Sequence, residues 1–267
     1  MRANNLTISI NAPCNKDCAY CISKMTFAPQ PDHDLFCRNI KKAVYMASAA
    51  GVSSVMITSK GEPLLNMDHV MYVLSHFRDF PTEIQTNGTK LDENTISRFA
   101  DMKLNTVAIS TDNPIDHDLS TVLDMLTQAK INSRLTIVVT DGFKVELAPL
   151  ISYCHAYGVR QLTLRMATAP MRVISNERSY NTLDWIKNNT KDEHKAFFDT
   201  LRSYQNEKTV IRKLPWGAMV HDVEGIAVTT IDYCIQEYNN YDDIRSLIYH
   251  QDGHLYTSWD KPSSLIF

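Results

Sequence analysis

Three cysteines on one short segment are the residues of this chain best suited to chemistry. Cys14, Cys18 and Cys21 have the spacing C-x3-C-x2-C. Thiolates are the usual ligands of iron–sulfur clusters and are common ligands of structural zinc. No fourth cysteine stands nearby, so a four-iron cluster held here would keep one iron free to bind another molecule. A zinc site would need a fourth ligand, and the residues alone leave that alternative open.

The elements that position these cysteines follow a regular alternation of strand and helix patterns. The first predicted strand leads directly into the cysteine segment. The predicted strands are Leu6–Ile10, Ser54–Thr58, Glu83–Thr86, Thr106–Ser110, Leu135–Thr140 and Leu162–Met166. The predicted helices are Asp34–Ala50, Met67–Phe77, a helix capped by Asp92 and reaching about Met102, Asp118–Lys130 and Leu147–Tyr157.

Six such units predict a parallel sheet with crossover helices. We therefore expect an α/β fold, a partial (β/α)6 TIM-type barrel over residues 1–170. Residues 171–267 are expected to form an extension that closes the barrel and contacts substrate. It comprises a helix from Leu183 to Tyr204, with a break near Asn188 and Asn189, and short antiparallel strands. Those strands are Val210–Leu214, Ile226–Tyr233, Leu247–Tyr249 and Leu255–Trp259.

Polar residues stand at the carboxyl end of every predicted barrel strand, where ligands of such folds bind. The cysteine segment follows the first strand, and Lys60 to Pro63 follow the second. Thr86 and Asn87 end the third strand. Ser110 and Asp112 end the fourth, and Arg165 lies on the sixth. We expect these residues to surround one mouth.

With these residues in place, the chain resembles the radical S-adenosylmethionine (radical SAM) enzymes over most of residues 5–170. The cysteine spacing carries most of the resemblance, together with the aromatic Tyr20 before the last cysteine. Gly61-Glu62-Pro63 matches the later part of the family's Gly-Gly-Glu-Pro turn. Gln85 to Gly88 resembles the end of its third strand, and Ser110 and Asp112 match polar positions after the fourth. Lys60 departs from the pattern, because the family more often has glycine there.

The resemblance implies that Cys14, Cys18 and Cys21 hold a 4Fe–4S cluster and that SAM chelates its open iron. One electron would cleave SAM to methionine and a 5′-deoxyadenosyl radical, which takes a hydrogen atom from substrate. The protein would orient the reactants and exclude competing reactions. The resemblance also implies an electron donor such as flavodoxin or ferredoxin.

The residue types at the mouth suit the groups of SAM. The turn Gly61-Glu62-Pro63 can offer carbonyls to the ammonium, and Arg165 can bind the carboxylate in a bidentate manner. Lys60 either alters this turn or brings an ammonium near the same carboxylate. Four residues can contact the ribose hydroxyls, and Tyr20 can lie against the adenine. Those four are Thr86, Asn87, Ser110 and Asp112. Simpler roles stay open: Arg165 in a structural ion pair, Asp112 in a turn.

The tail holds one cysteine, Cys234. It is a candidate hydrogen-atom donor to a substrate radical, although core packing explains it more simply. Since several further cysteines would be needed for an auxiliary cluster, we expect a single cluster. Cys37 and Cys154 fall in helical patterns and are expected to pack in the core.

The net charge and the hydropathy of the chain argue against nucleic acid and membrane as binding partners. The net charge of −3 over 267 residues gives no basis for general nucleic-acid binding. No apolar run is long enough to span a bilayer, and no signal peptide is evident, so a cytoplasmic location is expected. The favoured substrate is a small organic molecule such as a nucleoside, sugar or amino-acid derivative. A peptide substrate or a glycyl-radical partner protein is the alternative, and an iron–sulfur or zinc binding module is the non-enzymatic one.

Overall fold

The computed structural model describes residues 2–191, 193–214, 218–231, 243–259 and 261–267. Cys234, the candidate hydrogen-atom donor, lies outside the described residues, so its role stays a prediction. The strands are β1 (Arg2–Ile10), β2 (Ser54–Ser59), β3 (Thr82–Thr86), β4 (Thr106–Thr111), β5 (Asn132–Val139), β6 (Gln161–Met166), β7 (Val210–Lys213), β8 (Met219–Val223), β9 (Ile226–Ile231), β10 (Asp243–Tyr249) and β11 (Leu255–Tyr256).

The α-helices of the described part begin where the sequence provides caps. Asp32 and Asp92 accept hydrogen bonds from the third backbone N–H of their helices, as capping carboxylates do. The predicted break in the C-terminal helix is confirmed, because one helix ends at Asn188 and the next begins at Glu193. The helices are α1 (His33–Ala49), α2 (Met67–His76), α3 (Glu93–Asp101), α4 (Ser120–Gln128), α5 (Leu147–Ala156), α6 (Glu177–Asn188) and α7 (Glu193–Tyr204).

The eleven strands of the described residues belong to one sheet, in the order β11-β10-β1-β2-β3-β4-β5-β6-β9-β8-β7. The run from β1 to β6 is parallel and confirms the predicted partial barrel. The extension contributes more than the antiparallel strands that we expected. Its strand β9 pairs in parallel with β6, and β10 pairs in parallel with β1, so the extension widens the barrel wall at both edges.

The sheet has two chemically different faces. On the outer face, alternate strand residues pack beneath the helices in one large apolar core. That core includes Ile8, Ile57, Ile84, Ile109, Leu135, Ile137 and Leu164, all fully buried. Because successive strand residues point to opposite faces, the residues between them face the barrel interior. Within the described residues, no helix combines the length and apolar character needed to cross a membrane.

Candidate active site at the barrel mouth

The cysteine loop lies at the carboxyl end of β1. Cys14 is exposed, Cys18 and Cys21 are half-buried, and all three thiols are free. The backbone N–H of Cys21 donates to the carbonyl of Cys18 at 3.1 Å, and the Lys24 ammonium donates to that same carbonyl at 2.7 Å. The loop therefore presents three unpaired thiols from a backbone held by its own hydrogen bonds.

The surroundings of Cys18 favour its neutral thiol while no metal is bound. Burial raises the pKa of the Cys18 thiol, and the neighbouring Cys21 raises it further, against the opposing charge of Lys16. A cationic metal centre reverses this preference, because metal coordination deprotonates a thiol outright. Binding of a metal at Cys18 therefore requires the loss of its proton.

The three thiols of the loop do not converge on one point. Among the described residues, which include all three cysteines, no three His, Cys, Asp or Glu side chains converge on one point as a single-ion site requires. In a four-iron cube each thiolate binds its own iron, so the sulfur atoms do not need to converge.

Gly61 lets the turn after β2 lie directly against the cysteine loop. A Cβ at this position would lie 2.3 Å from the carbonyl oxygen of Pro13 and 2.4 Å from that of Ala12. The N–H of Glu62 donates to the same Pro13 oxygen at 2.8 Å. Only glycine fits at position 61, because the backbone of this turn touches the backbone of Pro13, the residue before Cys14.

Glu62 joins the ends of two strands through its buried carboxylate. Its Oε1 accepts from the N–H of Leu64 at 3.0 Å and from the hydroxyl of Thr86 at 2.6 Å. Its Oε2 accepts from the N–H of Asn87 at 2.6 Å. Pro63, which is also buried, begins a short 3-10 helix, Pro63–Asn66. The carboxylate thus fixes the rim, and only the backbone of this turn is left for the predicted contact with SAM.

Asn87 connects the end of β3 to the cysteine loop. Its Nδ2 donates to Oδ1 of Asn15 at 2.8 Å, and Nδ2 of Asn15 donates to the hydroxyl of Thr89 at 2.7 Å. These amides connect the residue after Cys14 to the segment that follows β3. The structure thus brings three predicted site segments together: the cysteine loop, the Gly61–Pro63 turn and the Thr86–Asn87 strand end.

Asp112, which follows β4, accepts a hydrogen bond from Nε2 of His117 at 2.8 Å. Burial alone would raise the pKa of the Asp112 carboxyl, but the hydrogen bond from His117 and the charge of Lys16 hold it below its usual value. The negative charge of Asp112 also contributes to the raised pKa values of Cys18 and Tyr20, so Asp112 lies near the cysteine loop. Ser110 lies two residues earlier and faces the interior. Both ribose contacts remain predictions.

Helix α6 supports the cysteine loop from the extension, which sequence analysis did not predict. Arg178 pairs with Asp17 at 3.0 Å, and the hydroxyl of Ser179 donates to the carbonyl of Lys24 at 2.9 Å. The rings of Tyr20 and Trp185 lie 5.7 Å apart in a small apolar cluster with Met25. The Tyr20 ring thus packs against this helix, and its contact with adenine stays a prediction.

Lys60 points toward the C-terminal segment. Its ammonium donates to the hydroxyl of Thr26 at 2.5 Å and lies 5.5 Å from the centre of the Trp259 ring. A contact between a cation and an aromatic face of this kind is favourable. The residue that departs from the family pattern therefore holds a tail residue beside the mouth.

Arg165 and the two remaining described cysteines were also given roles from the sequence. Arg165 lies on β6 in register with Val138 and Ile231, on the interior face, and its SAM contact stays a prediction. Cys154 is fully buried in the core, as predicted. Cys37 is only half-buried, and its sulfur lies 3.6 Å from Nε2 of His33.

Two polar pairs near the barrel were missed by sequence analysis. Asp141, after β5, accepts from the ring Nδ1 of His194 at 3.1 Å and from the N–H of Lys191 at 2.7 Å, so it fixes the start of α7. Glu83 and Arg134 form an ion pair on the interior face. Alternation of apolar and polar residues places these side chains on a face, but it does not predict their partners.

Known proteins resemble this chain in sequence. Residues 8–138 match the family model described as the radical SAM superfamily. The GTP 3′,8-cyclase of Aliarcobacter butzleri is 24% identical over 234 residues, which cover 84% of this chain and 70% of that protein. The uncharacterized protein MJ0804 of Methanocaldococcus jannaschii is 28% identical over 106 residues, 39% of this chain and 32% of that protein.

Solved structures show the same fold. Streptococcus suis SuiB bound to S-adenosylmethionine superposes with a TM-score of 0.62 at 14% identity, over 96% of this chain and 60% of SuiB. SuiB bound to the precursor peptide SuiA gives a TM-score of 0.57 at 14% identity, over 96% of this chain and 59% of that one. The chain thus spans about a third of MJ0804 and three fifths of SuiB. It belongs to the radical SAM superfamily, whose cofactors are a 4Fe–4S cluster and SAM.

Proposed function

We propose that this protein is a radical SAM enzyme that acts on a small organic substrate. When bound at the cysteine loop, the cluster and SAM supply a 5′-deoxyadenosyl radical by one-electron cleavage. The observation that carries the proposal is the close packing of three free thiols, the Gly61 turn and the Asn87 strand end at one mouth. The cysteine loop therefore lies directly beside the turn whose carbonyls are proposed to bind SAM.

The residues of this chain have separate tasks in the proposal. Cys14, Cys18 and Cys21 bind three irons. The carbonyls of the Gly61–Pro63 turn receive the SAM ammonium, Arg165 receives the carboxylate, and Ser110 and Asp112 receive ribose hydroxyls. Glu62 positions the turn without touching the ligand, because its carboxylate accepts hydrogen bonds from Leu64, Thr86 and Asn87.

The small-molecule class is favoured over a peptide by a relative in sequence, which is more similar to this chain in sequence than SuiB is. The A. butzleri protein, named for a reaction of GTP, aligns with 84% of this chain. A peptide-modifying activity is the second candidate, because SuiB with its bound precursor peptide has the same fold. We propose a donor such as flavodoxin or ferredoxin for the electron, and we place the protein in the cytoplasm.

Anaerobic reconstitution with iron and sulfide, followed by SAM and dithionite, tests the enzymatic proposal. Wild type is expected to form 5′-deoxyadenosine, measured by chromatography, and Cys18→Ala is expected to form none above background. Cys154→Ala is the matched control, since that thiol is buried in the core away from the mouth. Equal product from wild type and Cys18→Ala would reject radical SAM chemistry at this loop.

A further inference from the structure

The interior face of the barrel carries an ion pair that neither the cluster ligands nor the proposed SAM contacts use. Glu83 of β3 and Arg134 of β5 meet across β4, in contact through a guanidinium nitrogen and Oε1. Between them lies Ala108, which is fully buried and is in register with Arg134. Because alanine leaves the space above β4 open, the arginine can reach across one whole strand.

This pair lies on the interior side because its neighbours face outward. Ile84, Val107 and Leu135 belong to the apolar core beneath the helices, and Glu83 and Arg134 each stand one residue away from a core residue. The side chains of Glu83 and Arg134 are still 17% and 24% exposed, whereas their outward neighbours Ile84 and Leu135 are 0% exposed. The interior face is therefore accessible to solvent at this depth.

Several polar atoms on the interior face have no partner. Nε of Arg134, Oγ1 of Thr136 and Oγ of Ser9 are buried and make no hydrogen bond. Thr136 is 4% exposed and Ser9 is 0% exposed. An unpaired buried donor or acceptor costs free energy, and native proteins retain few of them without a reason. These atoms lie on β5 and β1, strands whose carboxyl ends border the mouth.

We infer that Glu83, Arg134 and Thr136 form a substrate subsite for a neutral group that both donates and accepts hydrogen bonds. The inference rests on the proposed function and specifies its substrate class. A carboxylate beside a guanidinium repels a second anion and a second cation alike, but together they offer an acceptor and donors to a neutral polar group. A nucleoside base and the hydroxyls of a sugar share this chemistry.

Replacing the Glu83–Arg134 pair by apolar residues tests whether the pair serves ligand binding or the stability of the fold. Exchanging a buried ion pair for apolar residues of similar size is often neutral or stabilising, so Glu83→Leu/Arg134→Met is expected to melt no lower than wild type. Thr136→Val removes a hydroxyl that has no partner in the fold. Thr111→Val is the matched control. The hydroxyl of Thr111 is also buried and unpartnered, but the residue alternates with Val107 and Ile109 and faces outward.

Saturation-transfer NMR on the reconstituted protein with SAM tests the subsite, with guanosine and D-glucose as separate probes. Wild type and Thr111→Val are expected to saturate at least one probe, which tells a base from a sugar. Binding of that probe is expected to fall about five-fold in Thr136→Val, the loss of one hydrogen bond, and to vanish in the double variant.

No transfer to either probe with wild type overturns the subsite. Equal transfer in wild type, Thr136→Val and the double variant also overturns it. A third contrary result is a double variant that melts well below wild type while Thr136→Val binds the probe as wild type does. Formation of 5′-deoxyadenosine by the same wild-type sample tests the proposed function separately, so the two failures are distinguishable.

Discussion

The two faces of strands β3 to β5 differ although their residues alternate along the same backbone. Outward residues such as Ile109, Leu135 and Ile137 are fully buried in the apolar core. Inward residues such as Arg134 and Thr136 are polar, and some of their buried atoms have no partner. We assign the stability of the barrel to the outer face, and the proposed subsite assigns the polar inner face to a ligand. Each variant below tests that division.

The largest effect is expected at the rim, where the sheet meets the cysteine loop. In Gly61→Ala, a Cβ 2.3 Å from the Pro13 oxygen forces two backbone segments apart. We expect a loss of more than about 4 kcal/mol, within the range of severe single substitutions, and little iron retained per chain.

Gly51→Ala is the control for Gly61. Gly51 also ends an element but has open space around the position of a Cβ, and its φ of +67° makes alanine cost only backbone strain. That cost is about 1 kcal/mol. Equal urea midpoints for the two variants would show that close packing at the rim does not require Gly61.

The next effect compares adjacent residues on opposite faces. Ile137→Ala removes buried apolar volume and is expected to cost about 2–5 kcal/mol. Thr136→Val, one residue earlier, is expected to leave the free energy of unfolding unchanged or higher, since the lost hydroxyl has no partner. Urea unfolding of both variants measures the difference. A larger loss for Thr136→Val than for Ile137→Ala would contradict the division between the faces.

Stability is expected to fall in acid because of two buried histidines, His250 and His69. Burial lowers the pKa of His250 to about 4, and the charge of Lys60 contributes; burial likewise lowers the pKa of His69 to about 4. The unfolded chain therefore binds these protons first, and stability declines as pH falls from about 6.5 toward 4. His250→Phe is expected to remove about 1–2 kcal/mol of the loss between pH 7 and pH 5. An unchanged pH dependence of the melting temperature would contradict this.

The smallest effect is expected for Lys60→Met. The ammonium contacts Thr26 and the face of Trp259, and losing these contacts is expected to cost about 1 kcal/mol. The KM for SAM then sharpens the role of this residue. A change of less than about three-fold fits an ammonium directed at the tail, whereas a loss of one charge-assisted hydrogen bond to SAM would raise KM roughly ten-fold or more.

The sequence predicted the units of the barrel well, because each strand and helix has a local pattern. The cysteine spacing and the Gly61 turn likewise depend on residues close together in the chain. The parallel pairing of β9 with β6 and of β10 with β1 was missed, since short strands carry no local mark of their distant partners. Glu83 and Arg134 lie 51 residues apart, and their contact depends on the small Ala108 between them. The supporting role of α6 depends on similar long-range contacts.

We expect the cysteine loop to hold a four-iron cluster whose open iron SAM can reach. Electron paramagnetic resonance of the reduced, reconstituted protein before and after addition of SAM tests it most directly. We expect a 4Fe–4S signal that changes on SAM addition in wild type and is missing in Cys18→Ala. A wild-type protein without that signal, or with a spectrum that SAM leaves unaltered, would contradict it.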